Sequence, residues 1–244
     1  MNVEARADVV GDDNTDQYIG TGALVLPSTS ADSDQHTAIT CADCSWRITP
    51  PCWTATTSKP CTSVVGHCPS GAKLRRLWFT RGDGHWRDLG VLCLGPEGVL
   101  TLAELEDWTV EQFIQGLPSL NPAAQPSQGV LPRIPVGFRS RQPKFPPRNY
   151  TLAGHRIRLT PIPSWTWRFG DGHRLTTDDP GAKYPNLSVA HAYPNAGPRS
   201  VRVRTHWTAT YTVDGEGPFE VAQAIHQDAR LLVEVGQARA VLTP

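Results

Sequence analysis

The stretch Trp165-Thr-Trp-Arg-Phe-Gly-Asp-Gly172 decides the fold of the second half of this chain. Trp165, Trp167 and Phe169 alternate with polar residues, so an extended strand places all three aromatic rings on one face. A Gly-Asp-Gly turn follows at once, because glycine accepts positive φ and Asp bonds to its own backbone. The pattern predicts a strand that is anchored in a core and ends sharply.

A second signature follows in Val-Ala-His-Ala-Tyr-Pro-Asn-Ala-Gly at 189–197, and an alternating strand occupies 200–207. Together the two signatures resemble the polycystic kidney disease (PKD) domain family over residues 148–236. The family pattern is Trp-x-Phe-Gly-Asp-Gly, then His-x-Tyr, then Gly and a Val-x-Val strand. Arg168 stands where the family usually carries Asp or Asn, and Pro198-Arg199 replaces a small residue and Tyr.

The resemblance implies an immunoglobulin-like β-sandwich that serves as an extracellular spacer, adhesion or ligand-binding module and not as a catalyst. It also implies structural roles for the motif residues, with His191 hydrogen-bonded within the turn before the strand. These residues are Trp165, Trp167, Phe169, Gly170, Asp171, Gly172, His191, Tyr193 and Gly197.

Composition excludes several functional classes. The 244 residues include 23 Lys plus Arg and 23 Asp plus Glu, so no overall field attracts nucleic acid or an anionic membrane. No apolar run is long enough for a spanning helix. The 22 Pro and 21 Gly predict many turns and little helix. We therefore expect a mainly β chain with no nucleic-acid partner and no transmembrane segment.

All six cysteines lie between Cys41 and Cys93. An even number confined to one loop-rich segment favours a disulfide framework, although the sequence does not choose the pairing. Because residues 1–30 lack a basic start followed by an apolar stretch, the expected export needs a processed start or a signal peptide upstream of Met1. A cytosolic protein with reduced thiols is the alternative. The predicted disulfide cysteines are Cys41, Cys44, Cys52, Cys61, Cys68 and Cys93.

The fold class predicted is mainly β, with a C-terminal PKD-type sandwich and a small disulfide-rich N-terminal region. That region has a hairpin at 73–94 that turns at Gly82-Asp83-Gly84. It also has one helix, which starts at the capping box Thr101 and Glu104. The predicted parts are a flexible leader (1–39), the cysteine-rich region (40–117), a proline-rich linker with local positive charge (118–147), the sandwich (148–236) and a tail (237–244).

No cofactor is expected, but two metal interpretations stay open. Cys41-x-x-Cys44 has the spacing of a zinc knuckle, while the other cysteines are irregularly spaced. Asp178-Asp179 and Asp171 are candidate oxygen ligands for calcium, but without a regular acidic spacing. The similar runs at 82–85 and 170–173, both Gly-Asp-Gly-His, are interpreted as structural turns.

The sequence also lacks the motifs of common catalytic sites. It contains no Gly-x-Ser-x-Gly, His-Glu-x-x-His, phosphate-cradling loop or dinucleotide fingerprint, and its eight histidines are dispersed. Trp207 and Tyr211 are possible ligand contacts that would stack on sugar rings, with Trp46 a third candidate; core packing is the alternative for all three. We expect a non-enzymatic module that binds an extracellular polysaccharide or an envelope protein, secreted or on the cell surface. A structural accessory subunit of an envelope or secretion assembly is the second interpretation. The layout is similar to secreted PKD-containing proteins of Gram-positive bacteria.

Overall fold

The computed structural model describes residues 8–12, 17–27, 32–54, 57–58, 68–95, 100–143 and 145–237. Over these residues the chain is mainly β, with two helices. The chain groups into two compact units. The first comprises Met1–Thr109, Asn149–Ile157 and Thr212–Gly217, and the second comprises Val110–Arg148, Arg158–Tyr211 and Pro218–Pro244.

The first unit is built on a five-stranded antiparallel sheet in the order β1-β2-β4-β7-β8. Two short strand pairs, β3 with β9 and β5 with β6, accompany it. The strands of this sheet and of the two pairs are β1 (Asp8–Asp12), β2 (Gln17–Thr21), β3 (Leu24–Val25), β4 (Ser45–Thr49), β5 (Trp53–Thr54), β6 (Thr57–Ser58), β7 (Lys73–Thr80), β8 (Arg87–Leu94) and β9 (Leu100–Thr101).

The predicted hairpin is confirmed, since β7 and β8 pair antiparallel on either side of the Gly82-Asp83-Gly84 turn. A disulfide from Cys68 to Cys93 joins the preceding loop to the return strand. Cys41 bonds to Cys44, and Cys52 is also disulfide-bonded. None of the cysteines in the described ranges is free, and Cys61 lies outside those ranges. The described cysteines therefore offer no thiolate to a zinc ion.

The predicted helix is also confirmed as α2 (Leu102–Gly116). Its N-terminus is a capping box: the backbone N–H of Glu104 donates to Thr101 Oγ1 at 3.2 Å, and the backbone N–H of Thr101 donates to Glu104 Oε2 at 2.9 Å. Two of the N–H groups that the first turn leaves without helical partners are thereby satisfied.

The stretch 1–39, predicted as a flexible leader, contains β1 to β3 and most of α1 (Asp32–Thr40). The helix has no amphipathic repeat that the sequence could reveal. Tertiary contacts hold it instead: Ala38 and Ile39 are buried, and the backbone N–H of Leu26 donates to Gln35 Oε1 at 2.9 Å. Propensity and periodicity alone miss helices that are stabilised in this way.

The second unit contains a three-stranded antiparallel sheet, β10-β11-β15, and most of a six-stranded sheet. In the larger sheet two long strands, β13 and β16, are neighbours; β14 and β18 flank them at one end and β12 and β17 at the other. The strands are β10 (Ala123–Gln125), β11 (Pro135–Arg139), β12 (Arg148–Leu152), β13 (His155–Arg168), β14 (Arg174–Thr177), β15 (Ala190–Ala192), β16 (Gly197–Val213), β17 (Glu216–Glu220) and β18 (Ile225–Val235).

Residues from both sheets form one hydrophobic core. The alternation in β13 works as expected, because Trp165, Trp167 and Phe169 are each at most 2% exposed. The smaller sheet supplies Val136 and Phe138 to the same core. The proline-rich stretch 118–147 was predicted as a linker, but it includes two strands and residues of the core. Its prolines flank short apolar runs, and those runs are buried.

Neither of the two helices in the described part of the chain has the length and apolar character needed to cross a bilayer.

Candidate functional site

The turn that ends β13 fixes the geometry of the candidate site. Gly170 and Gly172 have φ values of 83° and 96°, a region that side chains disfavour. A Cβ on Gly170 would lie only 2.8 Å from the backbone oxygen of Ser200, so β16 passes against this glycine. The chain then reverses into β14, with Arg168 directly opposite Arg174.

Asp171 at the centre of the turn is engaged by two hydrogen-bond donors. The backbone N–H of His173 donates to Oδ1 at 3.1 Å, and His191 Nε2 donates to Oδ2 at 2.7 Å. The side chain of Asp171 is 7% exposed. Burial raises the pKa of this carboxyl, but the hydrogen bonds from His191 and His173 and the electrostatic attraction of His191 outweigh burial, so its pKa lies below the usual value.

Aromatic rings hold His191 in place. Its imidazole stacks on Phe169 with the ring centroids 4.3 Å apart and meets Tyr193 edge-on at 4.8 Å. The Tyr193 hydroxyl donates to the backbone oxygen of Phe169 at 3.2 Å. Burial and the charge of Asp171 raise the pKa of Tyr193 to about 12, so the hydroxyl keeps its proton. The two sequence motifs thus meet, and His191 bonds to the Gly-Asp-Gly turn.

His173 extends this cluster toward solvent. Its side chain is 68% exposed, and its Nδ1 lies 3.3 Å from Asp171 Oδ1. The ligand atoms of Asp171, His173 and His191 all lie within 4.8 Å of one another. Within the described ranges no such group includes Asp178 or Asp179, so the structure does not bring the candidate oxygen ligands for calcium together.

Four arginines lie on four neighbouring strands beside this turn. Arg168 on β13 is opposite Arg174 on β14, and Arg202 on β16 is opposite Arg230 on β18. All four side chains are exposed. Arg168, Arg174 and Arg202 line a cavity of about 420 Å³ together with Gly170, Gly172, His173 and Ser200. We call these four residues, Arg168, Arg174, Arg202 and Arg230, the arginine row.

The arginine row has no acidic partner among the residues that the structure describes. Arg204, two residues beyond Arg202 on the same face of β16, shows the contrast: it makes two hydrogen bonds to Asp228, at 2.9 and 3.0 Å. Like charges placed directly opposite each other destabilise a sheet. Two such pairs side by side indicate a surface that is suited to negative charge from another molecule.

The aromatic residues that the sequence suggested as ligand contacts lie inside the protein. Trp207 is 0% exposed, Tyr211 is 2% exposed, and Trp46 is 1% exposed. The Trp207 ring packs against Phe145, and its Nε1–H donates to Gln227 Oε1 at 3.0 Å. Neither Trp207 nor Tyr211 offers a ring face on which a sugar could stack.

Sequence reasoning missed the arginine row as a site. The alternation of Val and Arg in 200–204 shows that Arg202 points outward, and Arg168 was visible as a departure from the family pattern. The strand registers that align these two with Arg174 and Arg230 are long-range features, and no local pattern contains them.

Comparison with known proteins found no family model, no curated protein and no solved structure that matches this chain.

Proposed function

We propose that the chain is a non-enzymatic extracellular binding module that holds an anionic carbohydrate on the arginine row. The observation that carries this proposal is the like-charged arrangement of four arginines on one sheet face, without an acidic partner among the described residues. Guanidinium groups suit sulfate, phosphate and carboxylate groups because they donate paired hydrogen bonds in a fixed plane. An anion placed among them also removes the repulsion between opposed arginines.

The PKD-like assignment supports a binding role and is part of the proposal. Its support is the meeting of Asp171, His191 and Tyr193 at one turn and the core that two antiparallel sheets share. In this proposal the immunoglobulin-like sandwich begins before residue 148, because β11 supplies Val136 and Phe138 to the core. The extracellular part rests on the disulfides Cys41–Cys44 and Cys68–Cys93, which oxidising compartments favour.

The test is binding of the full chain to immobilised sulfated, carboxylated and neutral polysaccharides over a series of salt concentrations. We expect binding to the anionic polymers alone, and it should weaken as salt rises because exposed charges are screened. The double variant Arg168→Gln/Arg202→Gln should weaken binding at least about tenfold, because each charge-assisted hydrogen bond contributes about 1.5–3 kcal/mol.

The matched control is Arg156→Gln/Arg158→Gln, which removes two exposed arginines from the same strand, β13, outside the row. This control should keep the wild-type affinity. Equal losses in both double variants would show only a general charge effect, and a preference for neutral polysaccharides would contradict the proposal.

A further inference from the structure

The chain contains the same four-residue turn twice, and the two copies differ in one respect. In Gly82-Asp83-Gly84-His85 and Gly170-Asp171-Gly172-His173 the Asp Oδ1 accepts a hydrogen bond from the backbone N–H of the His, at 3.0 and 3.1 Å. Turn formation explains that bond in both copies. It therefore says nothing about a ligand.

The difference lies in the further hydrogen-bond partner of the Asp side chain in each turn. Asp83 is exposed, and its further partner is the Thr80 hydroxyl, which donates at 2.8 Å. Asp171 is nearly buried, and its further partner is the His191 imidazole, which β15 supplies. Only the second turn, among the residues described, brings two imidazoles and a carboxylate within 4.8 Å.

We propose that Asp171, His173 and His191 bind one divalent transition-metal ion of the Zn²⁺ class. Zinc takes imidazole nitrogen and carboxylate oxygen at about 2.0–2.2 Å, which places tetrahedral ligand atoms about 3.3 Å apart. The observed separations are 2.7 Å from Asp171 Oδ2 to His191 Nε2 and 3.3 Å from Asp171 Oδ1 to His173 Nδ1. Small side-chain movements reach the required geometry, and His191 Nε2 gives up its proton when it becomes a ligand.

Aromatic neighbours hold one ligand of such a site in place. Phe169 and Tyr193 already fix the His191 ring, so little side-chain freedom is lost there when the ion binds. The exposed His173 can rotate onto the ion, and it faces the cavity, which leaves a coordination position for water. Two imidazoles and a single carboxylate favour zinc over calcium, which prefers six or more oxygen ligands. This inference does not depend on the proposed carbohydrate binding.

The test is calorimetric titration of the full, untagged chain with ZnCl₂. We expect one saturable site in the wild type, and His173→Ala should bind at least about tenfold more weakly, because it removes a direct ligand. Because His173 is largely exposed, this variant should keep the metal-free melting temperature. Added Zn²⁺ should raise the melting temperature of the wild type but not of His173→Ala, since a ligand stabilises only the state that binds it.

Two histidine variants serve as controls. His85→Ala alters the matched turn that lacks a third ligand, and His206→Ala removes one ring of the cross-strand pair with His226, whose centroids are 4.7 Å apart. Both should keep the wild-type zinc affinity. Three results would each overturn the proposal: no saturable zinc binding, an unchanged affinity in His173→Ala, or a loss of affinity in His206→Ala alone.

Discussion

The indole N–H of Trp165 donates a hydrogen bond to Gln142 Oε1 at 2.8 Å, deep inside the second unit. The same oxygen accepts from the Thr205 hydroxyl at 2.7 Å. The Gln142 amide nitrogen donates to the backbone oxygen of Pro118 at 2.9 Å and to Gln227 Oε1 at 2.6 Å. Gln142 is 2% exposed, so the proline-rich stretch supplies the polar centre of this core.

Replacement of this amide should destabilise the protein strongly. Gln142→Ala leaves the buried Trp165 indole and Thr205 hydroxyl without their shared acceptor, at a cost of about 1–3 kcal/mol for each unsatisfied group. Urea unfolding measures the loss. Gln115→Ala is the control, because Gln115 is exposed and bonds to Glu111 one helical turn away. Equal midpoints for the two variants would show that the Gln142 network adds nothing.

The two buried tryptophans of β13 should respond differently to loss of their N–H groups. Trp165 Nε1 has the Gln142 partner, whereas Trp167 Nε1 has none among the residues described. Trp165→Phe should therefore lower the free energy of unfolding more than Trp167→Phe.

Trp167→Ala empties the core and should cost about 3–5 kcal/mol. If Trp167→Ala left the melting temperature unchanged, the core placement of this ring would be refuted.

Alanine substitutions at Gly170 and Gly172 distinguish the cost of an unfavourable φ from the cost of a steric clash. Both have positive φ, but a Cβ at Gly170 meets the Ser200 backbone, whereas nothing lies within 4 Å of a Cβ at Gly172. Gly172→Ala should cost about 1 kcal/mol from its φ alone. Gly170→Ala should cost clearly more, because strand backbone cannot move aside easily. Chemical denaturation measures the free energy of unfolding of each variant. A lower value for Gly172→Ala than for Gly170→Ala would contradict this explanation.

The depressed pKa of Asp171 predicts how stability depends on acid. The unfolded carboxyl takes up its proton at a higher pH than the folded one, so unfolding binds a proton in this window. The contribution of Asp171 is fully present above about pH 4 and is lost as the pH falls through the lower folded value. Asp171→Asn should flatten this part of the curve of unfolding free energy against pH. Urea titrations between pH 5 and pH 2.5 measure this slope. The same slope in the wild type and in Asp171→Asn would contradict the lowered pKa of Asp171.

Local patterns predicted those parts of the fold that local chemistry determines. The alternation in 165–169, the hairpin turn at 82–84 and the capping box at Thr101 each contain their own cause within a few residues. Helix α1 and strand β11 do not. Helix α1 depends on contacts outside itself, such as the hydrogen bond from Leu26 to Gln35, and β11 depends on the burial of Val136 and Phe138 against other strands.

The same distinction between local patterns and long-range contacts applies to the candidate site. Asp171 and His191 stand in recognisable motifs, and the sequence predicted a structural hydrogen bond for His191, but within the turn before the strand and not with Asp171. His173 joins them only because the turn aims its ring back at the carboxylate. The arginine row depends on the registers of β14 with β13 and of β18 with β16, and a shift of one residue would turn each arginine inward.

The arginine row crosses the strands, and this direction sets a length scale for a ligand. Neighbouring strands lie about 4.8 Å apart, so four adjacent strands place their charges along a line of about 14 Å. A linear polyanion that engaged all four would lie perpendicular to β13 and β16, with the strand spacing acting as a ruler for its charges. Polymers whose anionic groups repeat at that interval would match the row in full, and those that repeat at twice the interval would meet only every second arginine.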